Sequence, residues 1–174
     1  MNITADLPVT PYLKEICEQT KNSPCHFLIL TAETAAGKST AVPPALLDAF
    51  PGKIVMLEPR RLAAVSIASR IAQTLGEPVG KTAGYRVHLD SKISRETRLE
   101  IITEAILTRQ LQADPSLDGV SVVIIDEFHE RSIHADLALA FLKEAMALRD
   151  NLYVIVMSAT IETAFLSKYL GTPS

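Results

Sequence analysis

Three short apolar runs in this chain each end abruptly in a polar motif, and that pairing constrains the fold more than any other feature. Phe27-Leu28-Ile29-Leu30 leads into Ala32-Glu33-Thr34-Ala35-Ala36-Gly37-Lys38-Ser39-Thr40. Val120 to Ile125 leads into Asp126-Glu127-Phe128-His129, and Leu152 to Met157 into Ser158-Ala159-Thr160. Runs this short and this apolar read as strands buried on both faces, which belong to parallel sheets. In such sheets the groups that follow the strands collect at the carboxyl edge, where ligands bind. Each motif alone arises often by chance. All three, in order and each at a strand end, are expected by chance in fewer than roughly one in ten thousand chains.

Between these runs the apolar period changes to that of helices, the alternation expected of repeated βαβ units. A leading helix is predicted from about Pro8 to Lys21, with Leu13, Ile16 and Cys17 on one face. A helix starts near Lys38, and Pro43-Pro44 predicts an interruption or kink in its first turns. Ile54 to Leu57 reads as a second strand, followed by a helix from Arg61 to Leu75 that Gly76 and Pro78 end. Gly84-Tyr85-Arg86-Val87-His88 reads as a polar stretch, Leu99 to Ile102 as a strand and Glu104 to Leu111 as a helix. Helices are also predicted from His134 to Arg149 and from Ile161 to Leu170. The expected architecture is α/β, a central, mostly parallel sheet flanked by helices on both faces.

With 174 residues, 48% of them hydrophobic and 21% charged, the chain is expected to form one globular domain. The net charge of −3 excludes nucleic-acid binding through bulk electrostatics, so any such contacts must be local and few. Cys17 and Cys25 fit no metal or disulfide framework, which points to a reduced, cytoplasmic protein. Met1 to Asp6 has neither the basic nor the apolar region of a signal peptide. No apolar run approaches the ~20 residues of a membrane span, so no membrane partner is expected.

The first motif is a strand-loop-helix that points backbone N–H groups and a positive helix end at an anion. Lys38 would meet β- and γ-phosphates, Ser39 would supply a magnesium ligand and Gly37 would allow close backbone approach. Thr40 is placed for the α-phosphate. The full pattern G-x-x-x-x-G-K-[ST] is broken by Ala32, and Ala35 stands where many such loops carry glycine. If Ala35 takes a positive φ the strain is about 1 kcal/mol. The empty loop then favours a collapsed shape and weaker nucleotide binding.

In the second motif Asp126 would hold magnesium, and Glu127 would orient and deprotonate water. His129 reads either as a hydrogen-bonding surface residue or as a relay of the phosphate state. Glu130 and Arg131 read as an exposed ion pair without chemistry.

Asp126-Glu127-Phe128-His129 resembles motif II of the DEAH/DExH-type superfamily 2 helicases. Ala32 to Thr40 is similar to their motif I and Ser158-Ala159-Thr160 to their motif III. Glu58-Pro59-Arg60-Arg61-Leu62-Ala63-Ala64 resembles motif Ia, Thr103-Glu104 motif Ib, and Gly84 to Val87 the segment between them. The resemblance implies a RecA-like P-loop NTPase domain that takes ATP or another triphosphate with Mg2+. Its catalytic residues would be Lys38, Asp126, Glu127 and His129, with Ser39 and Asp126 on the metal. Thr34, Ala35, Ala36, Gly37, Lys38, Ser39 and Thr40 would hold the nucleotide, with Arg70 stacked on its base. Arg60, Arg86 and Thr103 would touch the backbone of a single strand, RNA in preference to DNA, without reading its sequence. Ser158 and Thr160 would couple the two events; otherwise they cap the last helix. Arg61 and Arg70 also read as ordinary helix-surface cations.

The same resemblance implies a second RecA-like domain carrying an arginine finger, and nothing after Thr160 supplies one. The chain is therefore expected to be the first motor domain of a longer ATP-dependent helicase, nearly inactive by itself. A nucleotide-dependent binding module that never hydrolyses is the alternative. A small-molecule kinase ranks last, because Ser158-Ala159-Thr160 has no place in that chemistry.

Overall fold

A computed structural model describes residues 7–130 and 132–159 of the chain. After a 3₁₀ turn at Thr10–Tyr12, the elements are α1 (Leu13–Asn22), β1 (Phe27–Thr31), α2 (Lys38–Ala49), β2 (Lys53–Leu57), α3 (Arg61–Leu75), β3 (Ala83–Val87), β4 (Asp90–Lys92), β5 (Leu99–Ile102), α4 (Glu104–Ala113), β6 (Val120–Ile125), α5 (Ile133–Leu148) and β7 (Tyr153–Ser158). The strands form one seven-stranded sheet in the order β1-β7-β6-β2-β5-β3-β4. Every pairing is parallel except β3 with β4. The short helix expected from Ile161, Thr160, Arg131 and the Met1–Asp6 segment lie outside the described residues.

Alternation along the strands sorts their side chains into two cores. Ile54, Met56, Val122, Ile124, Ile155 and Met157 face α1, α2 and α3. Val55, Leu57, Val123, Ile125, Val154 and Val156 face α4 and α5. Every residue of β6 is buried, as its apolar pattern around a single serine leads one to expect. Local signals set the helix ends. Gly76, at φ +70, closes α3. The Ser132 hydroxyl accepts the His134 and Ala135 N–H groups at 3.0 and 3.3 Å and opens α5. Among the described residues no helix is long and apolar enough to cross a membrane.

Two expectations need correction. Helix α2 runs from Lys38 to Ala49 without interruption, with Pro43 and Pro44 inside it. A proline in a helix interior costs about 3 kcal/mol or more. Burial of Val42, Leu46 and Leu47 against the sheet opposes that cost, at about 1.5–3 kcal/mol for each large side chain. The stretch Gly84–His88, read as polar, is mostly strand β3, with Tyr85 and Val87 buried. Arg86 is accommodated between them because its guanidinium pairs with Glu100 on neighbouring β5. Gly84 is required there, since a Cβ would collide with the Lys92 carbonyl.

Candidate functional site

The parallel strands bring all the motifs to one rim. The register pairs Thr31 with Ser158, Leu57 with Ile125 and Leu57 with Ile102. Backbone bonds carry the pairing one residue further: Ala32 N–H to Ser158 O, Asp126 N–H to Leu57 O and Glu58 N–H to Ile102 O. Lys38 and Asp126, remote in sequence, therefore stand on the same side of the sheet.

The loop between β1 and α2 is folded around its own lysine. Lys38 is buried, and its Nζ donates to the carbonyls of Ala32 at 2.6 Å and Glu33 at 2.9 Å. Ala35 adopts φ +68, the strained state anticipated for it, and Gly37 adopts φ +85. Gly37 also admits the Leu7 side chain, which a Cβ would meet at 2.7 Å. The Val9 N–H donates to the Ala36 carbonyl at 3.1 Å, so the segment before α1 straps the loop down. A cleft of about 300 Å³ opens beside it, walled by the loop from Thr34 to Thr40, Leu7, Glu127 and Ala159. A larger cleft of about 560 Å³, between α1 and the other side of the loop, contains none of Asp126, Glu127 or His129. The smaller one contains Glu127.

Asp126 is 3% exposed. Its Oδ1 accepts the Glu127 N–H at 2.9 Å, while Oδ2 is buried without a hydrogen-bond partner. Burial pushes this carboxyl up to about 6; the Ser39 hydroxyl and the Glu127 N–H pull it down in part, and the charges of Glu127 and Glu58 add to the rise. A buried carboxylate oxygen left unpaired beside a hydroxyl is a hard, oxygen-only donor set. It fits a small divalent cation, which would supply the missing positive charge.

Glu127 is a non-glycine residue at φ +52, an outlier of the kind that clusters at functional sites. The turn aims its side chain into the cleft, where His129 holds it. His129 Nδ1 accepts the Ala159 N–H at 3.1 Å, which leaves the proton on Nε2, 3.0 Å from Glu127 Oε2. One ring thus joins the carboxylate motif to the residue after β7. Ser158 is buried beneath it at the strand end.

The remaining predicted residues divide. Arg60, between β2 and α3, is turned toward Glu58, Glu127 and Glu130. Thr103 opens α4 on the adjacent strand end, half-buried. Arg86 is committed to Glu100, which also takes Lys53 Nζ at 2.9 Å. Arg70 is exposed on α3 and does not line the cleft. Glu130 lies 3.7 Å from Arg60; its expected partner Arg131 is outside the described residues. Sequence reasoning missed Glu58, Glu100 and the Leu7–Val9 strap. For Glu58 a signal existed: it follows the apolar run of β2 as Asp126 follows that of β6.

A profile of the family described as DEAD/DEAH box helicase matches residues 10–168. The chain is 48% identical over 169 residues to the ATP-dependent RNA helicase HrpB of Escherichia coli (strain K12), covering 95% of this chain and 21% of that protein. It is 39% identical over 168 residues to the ATP-dependent RNA helicase HrpA of Borreliella burgdorferi, covering 95% of this chain and 20% of that one. A crystal structure of the Escherichia coli DEAH/RHA helicase HrpB superposes with a TM-score of 0.89 at 47% identity, over 95% of this chain and 21% of that one.

Proposed function

Because the chain belongs to the DEAD/DEAH box helicase family, we propose that it is the first RecA-like motor domain of an ATP-dependent helicase that works on single-stranded RNA in the cytoplasm. The chain spans about a fifth of the curated relatives it matches, 21% in the case of HrpB, so the motor's second half would come from a further domain. The relatives' description as RNA helicases favours RNA over DNA.

ATP would lie in the cleft with its phosphates against the N–H groups between Thr34 and Gly37 and the N-terminus of α2. Lys38 would exchange the Ala32 and Glu33 carbonyls for β- and γ-phosphate oxygens, and Thr40 would approach the α-phosphate. Ser39 and Asp126 would hold magnesium, which when bound neutralises charge on the phosphate oxygens. Glu127 would orient the attacking water and accept its proton. His129 would report the state of Glu127 to Ala159 and, through Ser158 and Thr160, to the strand. Arg60 and Thr103, on adjacent strand ends, would touch the sugar-phosphate backbone. Arg70, exposed on α3, would stack on the base outside the cleft.

One observation carries this reading: Ser39 and Glu127 line the cleft that the phosphate loop walls, and the buried Asp126, with its Oδ2 unpaired, sits against the Ser39 hydroxyl. An arginine finger is worth about three to five orders of magnitude in related sites, so this chain alone would hydrolyse ATP negligibly. The test is ATP hydrolysis by the intact helicase with and without RNA or single-stranded DNA. Stimulation by RNA is expected; stimulation by neither contradicts the assignment.

A further inference from the structure

Glu58 is a buried carboxylate that the hydrolytic chemistry above does not use. It is 1% exposed, and its Oε1 accepts two bonds from one residue: the Arg60 N–H at 3.0 Å and the Arg60 Nε at 3.2 Å. A side chain held at its backbone and at Nε is tethered at two points, while its terminal nitrogens can still swing about Nε. Those nitrogens face the site. Nη2 lies 3.9 Å from Glu127 Oε1, and Nη1 lies 3.7 Å from Glu130 Oε1. The Arg60 side chain is nevertheless 58% exposed, so its outer side remains open to an incoming anion. Glu127, for its part, has one oxygen against His129 and the other toward Arg60.

From this geometry we propose that Arg60, positioned by Glu58, is a strand-operated brake on Glu127; the proposal rests on the reading of this domain as a strand-coupled nucleotide hydrolase. Without a strand, the guanidinium stands 3.9 Å from Glu127 Oε1, an ion pair without a hydrogen bond, and its charge draws that oxygen away from the attacking water. A backbone phosphate arriving at the exposed side of Arg60 draws the guanidinium outward. Glu58 keeps Nε as the pivot, so the movement frees Oε1 without releasing the arginine. Glu130 shares the resting position and returns the guanidinium to it when the strand leaves. Arg60 is then one element common to strand binding and hydrolysis. Glu58 is a positioning residue that acts through it.

The experiment measures kcat of the intact helicase at saturating ATP, first without RNA and then across a titration with single-stranded polyadenylate. Arg60→Ala should raise the strand-free kcat about two- to fivefold, the effect of removing one partly solvated charge pair, and should abolish most of the stimulation. Arg60→Lys keeps a cation for the strand but cannot make the Nε bond to Glu58. It should also raise the strand-free rate while retaining most RNA affinity. Glu58→Ala should raise the RNA concentration for half-stimulation, and Glu58→Gln, which keeps the accepting oxygen, should recover most of the coupling. Should Glu58→Ala fail to fold, the two Arg60 variants, altered at an exposed side chain, decide the matter. A strand-free kcat in Arg60→Ala equal to or below that of the unmodified protein overturns the brake and leaves Arg60 a simple strand contact. Failure of RNA to stimulate the unmodified protein is a different result, and it removes the helicase reading instead.

Discussion

The Nε2 of His129 lies 3.0 Å from Oε2 of Glu127, while its Nδ1 accepts the backbone N–H of Ala159 at 3.1 Å. A single imidazole therefore ties Glu127, the residue we propose activates water, to the segment that follows β7. Both bonds depend on the same tautomer, so the ring cannot change its grip on one side without disturbing the other.

Removing that ring should separate binding from coupling. His129→Ala in the intact helicase is expected to lower RNA-stimulated kcat by about 10- to 100-fold, equivalent to about 1.4–2.8 kcal/mol of barrier. The Kd for an ATP analogue should change little, because no phosphate-loop residue is touched. Steady-state kinetics beside a nucleotide-binding titration check the split.

Asp126 makes the stability of the chain depend on pH in a definite direction. Its folded-state value is raised from the ordinary 3.8 to about 6. Between those values the folded chain holds more protons than the unfolded one, so stability falls as pH rises through the window. Above it the buried charge costs on the order of 3 kcal/mol. Asp126→Asn should therefore raise the Tm of the metal-free chain near pH 7 by roughly 5 °C or more. The gain should vanish near pH 4, which thermal melts at the two pH values will measure.

Ala35 sits at φ +68 in the loop that grips Lys38. Ala35→Gly relieves strain of about 1 kcal/mol, and the relief falls on the nucleotide-free loop, where the positive φ is found. Affinity for an ATP analogue should therefore stay unchanged or fall, by at most about fivefold, the equivalent of that relief. Isothermal titration of the two proteins at equal magnesium gives the comparison.

Arg86 is bound into the fold. Burial pushes the Glu100 carboxyl up, but hydrogen bonds and charge from Arg86 and Lys53 outweigh it and leave the group below its ordinary value. Arg86→Ala should destabilise the chain by about 2–4 kcal/mol, because Glu100 stays buried with Lys53 alone. Urea unfolding measures the loss. Unchanged stability together with weaker oligonucleotide binding would restore Arg86 to the strand contacts.

The strands were legible because burial on both faces leaves a nearly continuous apolar run, as in β6 with its one serine, and their ends marked where the motifs would meet. Strand β3 was not, because its polar Arg86 is neutralised by Glu100 from a strand that sequence proximity does not reveal. Pro43 and Pro44 misled for a related reason: local propensity opposes α2, and the tertiary burial of Val42 and Leu46 overrides it. That the β1–α2 loop, Asp126 and Glu127 would meet at one rim could be read from the strand ends they follow. The setting of Arg60 could not, since its three carboxylate neighbours come from the end of β2 and from two sites in the turn after β6. Nor does any residue type announce that Glu127 adopts a left-handed backbone, the turn that points its side chain at the loop.

The most direct measurement is a crystal structure of this chain with a non-hydrolysable ATP analogue and magnesium at concentrations high enough for a weak site. The expected result is the triphosphate in the cleft between the phosphate loop and Glu127, with Lys38 Nζ moved from the Ala32 and Glu33 carbonyls onto phosphate oxygens and the metal between Ser39 and Asp126. Nucleotide seated in the larger cleft against Tyr12, with Lys38 still bonded to those two carbonyls, would contradict it.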